Sequence, residues 1–286
     1  MKPAPFAYHA PRTLAEAIEV LGALGHDGKI LAGGQSLIPM LSMRLAAPAH
    51  LIDINAVAGL NEIAVTPEAV RVGATVRHRA LERSPQAYAV LPLLRQALVN
   101  VAHPAIRNRG TTVGSIAHAD AAGEMPAVAA LTGAVMEVAG PGGPREISAA
   151  DFFTGPLETT LAPEEILTAV RFSRFPEGTL TGFLESARRS GDYAMAGVGV
   201  AVTVKQGSIV AARASFVSVT DIPDVLDLTP VLADVSAQDL PTRWDDLRGA
   251  VREHVSPESD IHASADYRRM LAGELTCRVV TQVMTR

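Results

Sequence analysis

RNRGTTVGSIAHADAAGEMP, residues Arg107–Pro126, is the stretch on which the reading of this chain turns. It is rich in Thr, Gly and charged or hydroxyl side chains and poor in large apolar ones, which predicts a contact loop and not a core element. Main-chain amides at Gly110, Thr111, Gly114 and Ser115 have no bulky side chain in front of them and can face an anion closely. A second glycine-rich loop, AGGQSL at Ala32–Leu37, sits upstream between two apolar runs. Two such loops, one per lobe, predict one extended ligand held between them.

Each loop has a plainer alternative. Gly33 and Gly34 admit an oxyanion while Gln35 and Ser36 add donors, yet two adjacent glycines also make an ordinary strand-to-helix turn. At Thr111, Thr112, Gly114 and Ser115 the density of hydroxyls strengthens the anion reading. His118 and Asp120 carry donor atoms suited to a metal, but their i, i+2 spacing and the lack of a third ligand favour a loop-stabilising role. Glu124 is placed to hold ribityl or ribose hydroxyls, or else to supply a helix N-terminal charge ahead of Pro126. Downstream, Arg188, Arg189, Gly191, Asp192 and Tyr193 form a polar knot in which Tyr193 can cover a flat ring; the alternative is a solvated turn. No nucleophile elbow or Ser-His-Asp arrangement is present, so hydrolysis is not favoured.

Around these loops the pattern predicts three regions. Thr13 and Glu16 have capping-box spacing before an apolar helical face of Leu14, Ala17, Ile18 and Leu21, with Gly22 and Gly25 as its end. A strand at Lys29–Ala32, a helix at Leu37–Arg44 and a strand at Leu51–Ile54 complete a first lobe. Its G-G-Q-S pattern differs from G-x-G-x-x-G, and no acidic residue clearly closes a following strand, so a nicotinamide site is weakly supported. A second lobe holds strands at Ile63–Val65, Val70–Val72 and Val135–Val138, helices at Arg77–Ser84 and Leu91–Ala102, the decisive loop, a short helix at Pro126–Thr132 and a PGGP turn at Pro141–Pro144. Apolar text at Ile166–Phe172 closes it, and Ser173–Gly178 marks the boundary. Beyond lie alternating runs at Val198–Val204 and Ile209–Val219, then helices at Trp244–Val255 and Tyr267–Met284, an α+β order. The expected division is residues 1–175, with lobes of about 1–56 and 57–175, and residues 176–286.

Bulk properties narrow the function. With 286 residues, 48% of them hydrophobic, the chain can bury a sizeable core. Its 25 basic and 30 acidic residues give a net charge of -5 and no basic stripe, which argues against nucleic acid. There is no apolar leader and no run of about 18 apolar residues, so a cytoplasmic protein without a membrane span is expected. The single cysteine, Cys277, reads as a packed side chain, so any iron–sulfur cluster must belong to a partner.

Taken together, AGGQSL at 32–37, RNRGTTVGSIAHADAAGEMP at 107–126, FFTGPLETTLAPEEIL at 152–167 and ESARRSGDYAM at 185–195 resemble the FAD-binding medium subunit of the molybdenum hydroxylases. This family includes carbon monoxide dehydrogenase, quinoline and nicotine dehydrogenases and, as one fused chain, xanthine oxidase. The blocks occur in family order over nearly the whole chain. The resemblance implies an α+β fold: a two-lobed FAD-binding domain of the vanillyl-alcohol-oxidase type followed by a small α/β C-terminal domain. It also implies partners, a small subunit with 2Fe-2S clusters and a large molybdopterin subunit, in a dimer of heterotrimers.

By the same resemblance, Ala32, Gly33, Gly34, Gln35, Ser36 and Leu37 bind FAD together with Thr111, Thr112, Val113, Gly114 and Ser115. Glu124 falls on an acidic FAD-contacting position, and Val101, Leu167 and Tyr193 lie near the flavin. Val113 departs from the family's T-x-G-G and Ala121 from a common Pro; the first puts a β-branched side chain near the expected phosphate path. The implied activity is electron transfer from the partner's clusters to FAD and on to an external acceptor. Two rivals are a self-contained FAD-dependent reductase or oxidase, and a binding module that has lost FAD, the latter prompted by Val113.

Overall fold

The computed structural model describes residues 2–285. Its first lobe contains β1 (Ala7–His9), α1 (Leu14–Leu24), β2 (Gly28–Leu31), α2 (Leu37–Met43) and β3 (His50–Asp53). The three strands pair in parallel in the order β1-β3-β2. Helix α1 starts where the capping box requires: Thr13 Oγ1 accepts from the Glu16 amide at 3.2 Å, and Glu16 Oε2 accepts from the Thr13 amide at 3.2 Å. Ala17 and Leu21 are buried beneath it, with Leu14 and Ile18 packed against the same core. Gly22 does not end the helix, which runs to Leu24 and stops at Gly25, whose φ of 52° only glycine adopts readily.

The second lobe is built on a five-stranded antiparallel sheet, β4-β5-β10-β6-β7. These strands are β4 (Ile63–Val65), β5 (Ala69–Gly73), β6 (Val135–Gly140), β7 (Gly143–Ser148) and β10 (Ile166–Ser173). A ribbon of β8 (Phe153–Gly155) and β9 (Glu158–Thr159) lies between the last two in sequence. Helices α3 (His78–Glu82), α4 (Pro85–Val90), α5 (Leu93–Leu98), α6 (Pro104–Arg107), α7 (Thr112–His118), α8 (Glu124–Leu131) and α9 (Ala149–Phe152) complete it. The decisive stretch is therefore not one loop: α7 occupies its middle, α8 begins inside it, and Val113 and Ile116 enter the core. Sequence composition understated this because Ala, Thr and Gly fill the helix faces where apolar periodicity would otherwise show. The PGGP turn is tighter than expected, since Gly143 and Pro144 already belong to β7.

The C-terminal region has an antiparallel sheet, β11 (Thr179–Ser186), β12 (Ala196–Lys205), β13 (Ser208–Val217) and β14 (Leu226–Asp227), with α10 (Thr229–Leu232), α11 (Trp244–His254) and α12 (Ala265–Met284). Strand alternation sends Val198, Val200, Ala214 and Phe216 into a core shared with α11 and α12. On the opposite face Phe183 and Val217 join the core of the second lobe. Gly199 lies on that face, and a Cβ there would stand 3.3 Å from both Leu131 of α8 and Phe183, so its bareness sets how closely the helix approaches.

Candidate functional site

The two glycine loops meet. At Gly33 a Cβ would lie 2.7 Å from the carbonyl oxygen of Arg109, 2.7 Å from Gly110 Cα and 2.8 Å from the Thr111 amide nitrogen. Main chain of one lobe thus touches main chain of the other, and only glycine permits it. Gly34 follows with φ 74°, which turns the chain from β2 into α2. Thr111 caps α7, its hydroxyl accepting from the Gly114 amide at 3.1 Å. Thr112, fully buried, hydrogen-bonds His78 Nδ1 through its hydroxyl at 3.2 Å. His78 is itself buried, and loss of solvation followed by the charge of Arg107 lowers its pKa to about 4, so the ring is neutral.

Beside the contact opens a cleft of about 450 Å³ lined by backbone and side chains of Ala32–Gln35 and by Asp53, Asn55 and Arg109 among others. Its polar floor is an ordered network. Asp53 accepts from Tyr8 Oη at 2.6 Å and from the Asn55 amide at 2.9 Å. These bonds hold its carboxyl below the usual range against the opposing effect of burial. Asp53 also closes β3 near the first loop, the acidic strand end that sequence reading did not assign. The general rule that ligands sit at the carboxyl ends of parallel strands was the signal for Asp53 and Asn55. Nothing local in sequence marked Arg109 or Arg77 as their neighbours, because they come from the other lobe.

A second polar group lies at the far end of α7, roughly 10 Å along the axis for its seven residues. Glu124, first residue of α8, has its pKa pushed up to about 7 by burial, with the nearby Asp120 adding to the effect. Glu185 of β11 is pushed up to about 8, by burial first and then by the charge of Glu124. Its Oε2 is buried without a hydrogen-bond partner among the described residues. Tyr193 is raised by burial and by Asp120 and Glu124, and its side chain is nevertheless 71% exposed. Tyr193 therefore lies within electrostatic reach of these acids while most of it remains open to solvent.

Supports for this end come from both domains. Buried Arg107 donates to Glu82 Oε2 at 3.0 Å and to the carbonyls of Val101 and Ala102 at 2.9 and 3.0 Å. The polar knot docks on the same turn: Gly191, φ 86°, is so close to the His103 ring that a Cβ would collide with it.

The structure thus gathers the expected residues into two neighbourhoods. Ala32–Gln35 line the cleft, with Ser36 and Leu37 opening α2 behind them. Thr111 and Gly114 lie at the start of α7 against Gly33 and Ala32, with Ser115 in the same turn. Of the amides expected to face an anion, those of Gly110, Gly114 and Ser115 donate instead to the Ile106 carbonyl at 2.7 Å, Thr111 Oγ1 at 3.1 Å and the Thr111 carbonyl at 3.0 Å, because they form the turns that lead into and start α7. Val101, Glu124 and Tyr193 belong to the second neighbourhood. Leu167 is buried on β10. Val113 is 1% exposed in the core, so its β-branched side chain is not the obstacle to a phosphate path that sequence position suggested. Among the described residues no group of three or more His, Cys, Asp or Glu side chains suits a metal ion, and no helix is long and apolar enough to cross a membrane.

Two lobes with a glycine-lined cleft at their junction, carried on a parallel and an antiparallel sheet and followed by a helix-backed sheet, define a two-lobed binding domain with a C-terminal companion, and its likeness to known proteins gives the class. The family model described as the FAD binding domain in molybdopterin dehydrogenase matches residues 4–174. That of the CO dehydrogenase flavoprotein C-terminal domain matches residues 182–283. The nicotine 6-hydroxylase medium subunit of Paenarthrobacter nicotinovorans is 38% identical, covering 100% of both chains. The carbon monoxide dehydrogenase medium chain of Afipia carboxidovorans is 35% identical over 100% of this chain and 99% of its own. A solved structure of reconstituted CO dehydrogenase from Oligotropha carboxidovorans superimposes with a TM-score of 0.94 at 34% identity, covering 100% of both chains. The chain belongs to the FAD-binding medium subunits of the CO dehydrogenase-type molybdenum hydroxylases, which are oxidoreductases.

Proposed function

We propose that this chain accepts electrons from the 2Fe-2S clusters of a small partner subunit and passes them to an external acceptor, alongside a large molybdopterin subunit. The observation that carries this reading is the contact of the two glycine loops across the lobe boundary, beside a cleft lined by the first lobe and by Arg109 of the second. A cradle that a single Cβ would break, with glycine main chain and the cationic residue Arg109 among its lining, suits the diphosphate of FAD. The full-length match to named medium subunits supports the assembly. Bound FAD supplies the ability to collect electrons singly and release them as a pair.

In this reading the residues of this chain bind and orient. Ala32, Gly33, Gly34, Gln35, Ser36 and Leu37 form one wall for the diphosphate, and Thr111, Thr112, Val113, Gly114 and Ser115 frame the other, with Thr112 and Val113 anchoring α7 from the core. Glu124, which keeps its proton up to about pH 7, can donate to as well as accept from a ribityl or ribose hydroxyl. Val101, Leu167 and Tyr193 border the ring, with residues 1–175 as the FAD domain and 176–286 closing over it. The complex is a dimer of heterotrimers in the cytoplasm.

Purification of the native assembly tests this directly. Flavin, molybdenum and iron are expected in fixed proportion, with flavin on this chain. Turnover of a small substrate by this chain alone, free of metals, would replace the proposal with a self-contained flavoprotein.

A further inference from the structure

Arg77, the residue before α3, reaches across the junction of the lobes. Its Nη1 donates to the carbonyl of Arg109 at 2.6 Å and its Nη2 to Asn55 Oδ1 at 2.7 Å. Asn55 continues the chain, its Nδ2 donating to the carbonyl of Ala32 at 2.8 Å and to Asp53 Oδ1 at 2.6 Å. An unbroken run of hydrogen bonds therefore joins the main chain of the first glycine loop to the main chain just before the second. The backbones of Arg77 and Thr111 also form an isolated antiparallel bridge, so the guanidinium starts from a fixed origin.

The charges fit a brace and not a simple ion pair. Burial, then the like charge of Arg109, lower the pKa of Arg77, while Asp53 opposes them. Asp53 is already engaged by Tyr8 and Asn55, so it acts on Arg77 through space. A planar guanidinium serves two acceptors at once at a fixed angle, which an ammonium cannot do. Pinning the Arg109 carbonyl also fixes where the Arg109 side chain leaves the backbone at the rim of the cleft.

We infer that Arg77 is a positioning residue which, through Asn55, sets the spacing of the two glycine loops so that both reach one diphosphate together. The inference rests on the FAD reading above. A ligand that must be gripped from two lobes binds more tightly when their separation is fixed in advance, because ordering them is not left to the binding step. Gly33 still packs on Gly110 without the brace, so the fold survives its removal while the loops gain freedom.

The test uses the purified full-length chain and its Arg77→Met, Arg77→Lys, Asn55→Ala and Arg77→Met/Asn55→Ala forms, titrated with FAD by flavin fluorescence. Each methionine or alanine single variant is expected to weaken FAD about tenfold, the double variant no more than the worse single, and lysine to recover part of the loss. Amide hydrogen exchange without ligand is expected to rise at residues 32–37 and 107–111 in Arg77→Met. Independent, additive losses or unchanged exchange overturn the brace. A wild-type chain that binds no FAD instead overturns the FAD reading itself, and the exchange experiment then still decides whether Arg77 couples the loops.

Discussion

Gly33 shows how much one missing side chain can settle. A Cβ would press on three main-chain atoms of residues 109–111, none of which can swing aside as a side chain would. Gly33→Val is therefore expected to part the loops, costing about 1–3 kcal/mol of stability and most of the bound flavin. Flavin-to-protein ratio after gel filtration checks it; full retention of FAD would contradict the cradle. The reason differs from the one sequence offered, since the bareness of Gly33 serves the facing loop as well as any ligand.

Titration at Glu124 and Glu185 gives a pH dependence with a definite sign. Both carboxyls bind protons more tightly folded than unfolded, so they favour the folded state at low pH and lose that contribution as pH rises through about 7 and about 8. His78, lowered from 6.5 to about 4, works oppositely: its contribution is present above 6.5 and is lost as pH falls toward 4. Above pH 6.5 His78 is mostly neutral in both states, and the two carboxyls outweigh the opposing effect of His78 and of His118, whose pKa burial also lowers. The melting temperature of the flavin-free chain should fall between pH 6.5 and 8, and Glu124→Gln/Glu185→Gln should flatten that fall. An equally steep fall in the double variant would show that these carboxyls are solvated.

At the scale of elements, α7 links the two neighbourhoods of the site. Thr111 caps it, Thr112 hooks it to His78, and Val113 and Ile116 bury its inner face. Val113→Gly thus removes a core side chain and places a glycine in the first turn, where it is expected to cost about 2–4 kcal/mol without improving flavin binding. Chemical denaturation together with flavin titration checks both parts; a more stable or more tightly binding variant would restore the idea that Val113 impairs the site. Capping of α1 by Thr13 was legible because a capping box is local in sequence. The helical character of 112–118 was not, because its inward residues are fixed by what they meet and not by a run of large apolar side chains.

Over the whole molecule, the C-terminal sheet is clasped on both faces, by α11 and α12 on one and α8 on the other. Gly199→Val would add methyl groups where a Cβ alone is already 3.3 Å from Leu131 and Phe183. We expect a lower melting temperature and separate unfolding of the two domains by calorimetry, since the shared core is what makes them melt together. A single unshifted transition would show that the interface can give.

Sequence by itself determined the elements whose causes are local: the capped helix α1, the strands at Ile63–Val65 and Val135–Val138, the glycine turn at Gly33–Gly34, and through the order of its motifs the family. Tertiary structure alone decided that the loops touch, that Asp53 and Asn55 join Arg77 and Arg109 across the lobes, and that Glu124 and Glu185 face one buried environment. Those facts depend on contacts between residues about 20 to 80 positions apart, and periodicity carries no record of which distant surfaces will be pressed together when the core closes.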